Sequence, residues 1–141
     1  MCYVTFLSTS SAEDLSARST EFVRFEKDCF DEPAASVMLN EHKWYVGSGN
    51  GCSCAFRHLM SPELGFGHPV EWYREDGDAI NATAHFEAVV RDLLARGHSV
   101  DCVDAWNGTE AGKIVQRSVD LSALEPGQFR FFENYHFVFA R

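Results

Sequence analysis

Basic residues are scarce in this chain: 12 Lys and Arg stand against 21 Asp and Glu, a formal net charge of −9. No run of Lys or Arg offsets that balance, and a protein that neutralises a phosphate backbone needs one. Nucleic acid is therefore excluded as an expected partner. The acidic excess serves solubility first and favours a basic protein partner second. Long hydrophobic runs are missing too. No segment approaches the roughly 18 apolar residues needed to cross a bilayer, so no membrane partner is expected. The stretch MCYVTFLSTSSAEDLS has no basic residue and its apolar run ends at Leu7, which is not the pattern of a secretory signal. Internal repeats, low-complexity tracts and linkers are likewise absent, which argues against solenoids and multi-domain arrays.

What is present describes an ordinary folded chain. Hydrophobic residues make up 45% and charged residues 23% of the 141, enough to bury one core and define a single globular domain over residues 1–141. Aromatic content is high, 13% with 12 Phe, and aromatics favour strands and deep cores. Five cysteines is an odd number in a chain too large to need disulfide staples, so free thiols and a reducing, cytoplasmic setting are expected.

Periodicity predicts many short strands and one principal helix. CYVTFL (2–7), EFVRFEK (21–27), SVDCVDAW (99–106), IVQRSVDL (114–121) and the end of FRFFENYHFVFA (129–140) read as strands. The last has apolar side chains on both faces, which suits the centre of a sheet. SAEDLSAR (11–18) reads as a short helix with a Ser cap. Residues 79–96 carry Phe86, Val89, Val90, Leu93 and Leu94 on one helical stripe, with Asp78 as N-cap and Gly97 beyond the C-terminus. The predicted class is α+β: a mostly antiparallel sheet of about six short strands with the amphipathic helix packed on it.

The most chemically suggestive stretch is GSGNGCSCAFRH, residues 47–58. Asn50-Gly51 between two strand-like runs is a strong β-hairpin signal, because a type I′ turn needs positive φ at both central positions. On a regular strand Cys52, Cys54, Phe56 and His58 share a face, and Gly47 falls opposite Cys54, leaving the sulfurs uncovered from the side. The plain reading of these cysteines is small core residues. The sharper readings are a reactive thiol or metal ligation. A closed zinc site needs four ligands, and this face supplies two. His58, about 13 Å along the strand from Cys54, is too far to complete it, which leaves Cys2, Cys29, Cys102, His68 or His85. A cysteine nucleophile needs a base within hydrogen-bond reach, and His68, folding back from a long loop, is the candidate.

That loop, residues 60–78, carries two Pro and three Gly, and loops of such length tend to be functional. Its His68, Glu71, Trp72 and Tyr73 could line a ligand pocket or simply anchor the loop. Asp101 and Asp104 fall on opposite strand faces, so they are not a carboxylate pair. His85-x-Glu87 lacks the downstream P-C-x-x-C of zinc deaminases, and Gly108 to Lys113 is one residue short of a P-loop and has Ile114 where Ser or Thr belongs. The favoured expectation is a non-catalytic cytosolic interaction or structural domain meeting a protein partner or a second copy. The alternative is a small-molecule or metal-binding protein, or a thiol-dependent enzyme, with catalytic candidates Cys52, Cys54 and His68 and ligand-binding candidates Gly47, Glu71, Trp72 and Tyr73. No cofactor is required by the sequence; zinc or iron at Cys52 and Cys54 is the secondary expectation.

Overall fold

The structure, a computed structural model, describes residues 2–27, 31–49, 51–59, 65–67 and 75–141. Its main sheet holds six strands in the order β2-β3-β1-β5-β8-β6: β1 (Tyr3–Thr9), β2 (Val23–Glu26), β3 (His42–Ser48), β5 (Val100–Trp106), β6 (Val115–Val119) and β8 (Tyr135–Phe139). Five strands form antiparallel pairs; β6 joins the edge by pairing parallel with β8. A second, two-stranded parallel sheet joins β4 (His58–Leu59) to β7 (Phe131–Phe132). One long helix, α1 (Gly77–Ala95), packs on the main sheet. The class is α+β, as the periodicity predicts.

β1 and β5 are buried along almost their whole length, because both sheet faces are covered. One face meets α1 and a cluster of phenylalanines. Phe86 of α1 lies 5.0 Å from Phe131, Phe129 lies 5.2 Å from Phe131, and Phe137 lies 5.7 Å from Phe129. Tilted and edge-on pairs of this kind add about 0.5–1.5 kcal/mol each beyond simple burial, which accounts for the sequence's appetite for Phe. The other face meets a 3₁₀ turn, Pro33–Val37, whose Ala34 and Ala35 pack with Met38 on Phe6, Val103 and Ala105.

The helix begins two residues earlier than the capping pattern predicts. Asp76, not Asp78, is the N-cap residue, and its carboxylate makes no capping hydrogen bond. The C-terminus follows the expected device: Gly97 takes φ +87°, its N–H donates to Leu94 O and the His98 N–H donates to Leu93 O, the paired bonds of a Schellman motif. Residues 11–18 form only a 3₁₀ turn, Leu15–Arg18, capped by Asp14 rather than by Ser11. The stretch 129–140 ends in a strand as predicted, β8, and Asn134 turns the chain into it with φ +62° from the short strand β7. No helix among the described residues is long and apolar enough to cross a membrane.

Candidate functional site

The reversal after β3 starts as the hairpin signal predicts and then departs from it. The Ser48 N–H donates to Cys52 O at 2.7 Å and the Gly51 N–H to Ser48 O at 2.8 Å, with Gly51 at φ +93°. After that single rung the ladder stops. Ser53–Ala55 wind into a 3₁₀ turn, and the chain resumes as β4 against β7 rather than against β3. Residues 52–58 therefore do not present alternate side chains to one face, and Gly47 lies opposite Arg24 of β2 instead of Cys54.

The physical reason is Ser53. Its hydroxyl is fully buried, donates to Val46 O at 2.7 Å and accepts the Thr5 N–H at 3.1 Å. One side chain thus satisfies backbone groups of two strands, and it can do so only when the serine, not the flanking cysteines, points inward. Gly47 is explained by the same packing. A Cβ there would sit 2.6 Å from Gly51 O, so the missing side chain admits the turn's own backbone. It does not hold open a space above the sulfurs. Gly49 is equally constrained, its Cβ position lying 2.3 Å from Glu21 O.

Turned outward, the thiols meet a third that spacing could not place. The Cys54 sulfur accepts the Tyr3 N–H at 3.4 Å, which sets it beside Cys2, and the Cys2 and Cys52 thiols are near enough to act on its titration. Cys2 and Cys54 are exposed and Cys52 is half-buried. Local burial, followed by the neighbouring thiols, pushes the Cys54 thiol up to about 11. The tilt is towards the protonated form, the opposite of an activated nucleophile. Cys102 is sealed in the core, where burial and then Asp101 and Asp104 raise its thiol further. Among the described residues, no group of three or more His, Cys, Asp or Glu side chains is arranged to hold a metal ion.

His58, too far along a regular strand to complete a metal site, is held in a buried polar environment of its own. Its Nε2 lies 2.9 Å from Asp104 Oδ1 and its Nδ1 lies 3.0 Å from Phe56 O. The ring stacks on Tyr3 at 3.8 Å, and Tyr3 stacks on Trp106 at 4.1 Å. Thr5 donates to the same Asp104 oxygen at 2.8 Å. A carbonyl can only accept, so Nδ1 carries a hydrogen, and Nε2 and Asp104 Oδ1 share the hydrogen bond between them. Both ring nitrogens are engaged, and neither is left as a base for a thiol. Asp104 is raised above its ordinary value, chiefly by burial, and its Oδ2 is buried with no hydrogen-bond partner among the described residues. Asp101, on the opposite strand face as expected, receives His136 Nε2 at 2.6 Å, Asn40 Nδ2 at 3.0 Å and the Leu39 N–H at 3.0 Å, together with Ser8 Oγ. That network straps the 31–41 segment onto the sheet.

Arg57, between Phe56 and His58, is a second buried hub. Its guanidinium meets both carboxylate oxygens of Glu75, at 3.0 and 2.8 Å, and donates to the carbonyls of Gly127, Phe129 and Gly67. Around these hubs two neighbouring clefts open. One, about 420 Å³, is lined by Tyr3, Cys54, His58, Glu75 and Asp76 among others. The next, about 550 Å³, is lined by Glu21, Phe22, Ser48, Gly49, Ala55, Asp76, Asp78 and Ala82. The remaining predicted site residues, His68, Glu71, Trp72 and Tyr73, lie outside the described residues, as do Asn50 and Cys29.

Spacing alone could not find Cys2, Ser53 or His58 as members of this region, because each is placed by contacts distant in sequence. The one local hint was a small polar residue between two cysteines. Compared with protein families, with curated proteins and with solved structures, the chain matches none.

Proposed function

We propose that the chain is a non-catalytic interaction domain whose acidic cleft receives a basic side chain of a protein partner. The observation that carries this reading is the lining of the larger cleft, where Glu21, Asp76 and Asp78 converge with no Lys, Arg or His. Among the described residues these three carboxylates have no hydrogen-bond or ion-pair partner. Asp76 is not spent on capping its own helix either. Gathering three anions in one concavity is electrostatically unfavourable until a cation arrives. Phe22, stacked on His85 at 5.2 Å, adds an apolar wall along which the methylene stem of a Lys or Arg can lie.

The polar side chains with chemical potential have internal work that fits the same reading. His58, Asp104, Asp101, His136 and Arg57 hold strands and loops together, and the Cys54 thiol is held protonated. The reading requires no cofactor. It includes a reducing, cytoplasmic setting, supported by four free thiols among the described residues.

The test is fluorescence anisotropy with a labelled oligo-arginine peptide and an oligo-glutamate control. Selective binding of the basic peptide, weakening with salt and lost in the E21Q/D76N/D78N variant, supports the proposal. Equal affinity for both peptides, or binding untouched by the triple substitution in a variant that keeps its circular dichroism, overturns it.

A further inference from the structure

We infer that Cys2 and Cys54 form a dithiol–disulfide site that reacts with low-molecular-weight disulfides such as oxidised glutathione. The placement is specific. Cys2 directly precedes β1, and its carbonyl accepts the Asn107 N–H at 2.8 Å, so that end of the strand is fixed to β5. Cys54 rides on the 3₁₀ turn that Ser53 pins to β1 and β3. The Tyr3 N–H donated to the Cys54 sulfur at 3.4 Å brings that sulfur beside residue 2, at the start of the strand that Cys2 leads. Both residues are exposed, so a small disulfide reaches them without unfolding. Cys52 caps the same turn that carries Cys54, but a bridge between those two must close through only one intervening residue. Cys2 and Cys54 come from different elements whose backbones are independently anchored, and a bond between them ties the turn to the strand it covers.

The exchange balances in two steps. The Cys2 thiolate attacks one sulfur of oxidised glutathione; the glutathione S–S bond breaks, an S–S bond to Cys2 forms, and the first glutathione leaves as thiolate and takes up the proton that Cys2 gave to solvent. The Cys54 sulfur then attacks Cys2. The mixed S–S bond breaks, the Cys2–Cys54 bond forms, and the second glutathione leaves carrying the equivalent of the Cys54 proton. Two protein thiols are oxidised and one glutathione disulfide is reduced to two thiols. Cys2 attacks, and Cys54, whose sulfur is engaged by the Tyr3 N–H, resolves.

The experiment incubates the reduced, folded full chain with a glutathione redox buffer, quenches with acid and maps peptides under non-reducing conditions. The expected product has lost about two mass units and yields a peptide pair joined through Cys2 and Cys54. C54S should abolish the bridge and leave a stable glutathione adduct on Cys2, whereas C52S should leave the bridge intact. A bridge confined to Cys52 and Cys54, a bridge to any other cysteine, or stable glutathione adducts without internal closure would each overturn the inference. Matching far-ultraviolet circular dichroism of the reduced variants keeps a folding defect from being mistaken for a chemical one.

Discussion

His58 Nε2 and Asp104 Oδ1 lie 2.9 Å apart, with both side chains almost wholly out of solvent. The acid sits in the middle of a sheet, has one oxygen unpaired among the described residues, and is raised by burial from its ordinary value of 3.8. A carboxyl whose pKa is higher folded than unfolded binds more protons in the folded state. Its contribution to stability is therefore present below 3.8 and declines as pH rises through the raised value. Glu13 and Asp92 run the other way: hydrogen bonds from Arg96 and from Arg18, respectively, hold their carboxyls down, and their contribution is lost as pH falls. Asp104→Asn removes the first effect and leaves the second. Urea unfolding over a pH series should show D104N gaining on the parent protein as pH rises from the acid side, and a constant difference would refute this account.

Glycine substitutions separate close approach from loop freedom. At Gly47 and Gly49 an added Cβ meets backbone carbonyl oxygens at 2.6 and 2.3 Å, atoms that cannot swing aside. Gly47→Ala and Gly49→Ala should each cost about 1–3 kcal/mol. Gly112→Ala has nothing within 4 Å of the new Cβ and should be neutral or stabilising by up to about 1 kcal/mol. Chemical denaturation of the three variants checks the ordering.

Thiol labelling should resolve the cysteines by rate. Cys102, sealed and raised, should react with iodoacetamide only as fast as the chain opens. Cys54 is accessible but pushed up to about 11, so at pH 8 only about one molecule in a thousand carries its thiolate. Its labelling should speed about tenfold per pH unit through the alkaline range. Mass-spectrometric labelling at several pH values measures both, and fast modification of Cys54 at neutral pH would contradict its protonated state.

The sheet and helix were legible because their signals are local. The 86-89-90-93 stripe, the Gly97 terminator and the two apolar faces of the last strand each depend on residues within a few positions of one another. The candidate region was legible only as far as Gly51. The hairpin signal correctly reverses the chain, but the next residues are decided by Ser53 bonding to β1, some 48 positions away in sequence. Once that serine turns inward, the cysteines turn out, Gly47 loses its presumed role, and His58 is carried to Asp104, 46 positions distant. Alternation rules assume that a strand continues, and a single buried hydroxyl was enough to stop it.

Arg57 and Glu75 carry a consequence for the rates of folding. Their side chains are 1% and 6% exposed, and the same guanidinium gathers carbonyls from residues 67, 127 and 129. Removing one partner of a buried pair costs about 3–5 kcal/mol. The clamp is complete only when residues 67, 75, 127 and 129 are all in place around Arg57, and we expect it to close after the rate-limiting barrier. Interactions absent from that barrier act on escape from the native state rather than on arrival. Glu75→Ala should thus leave the refolding limb of a chevron nearly unmoved while raising the unfolding limb. The Arg57 clamp is then a determinant of lifetime: it sets how long a molecule stays folded, not how quickly it becomes so.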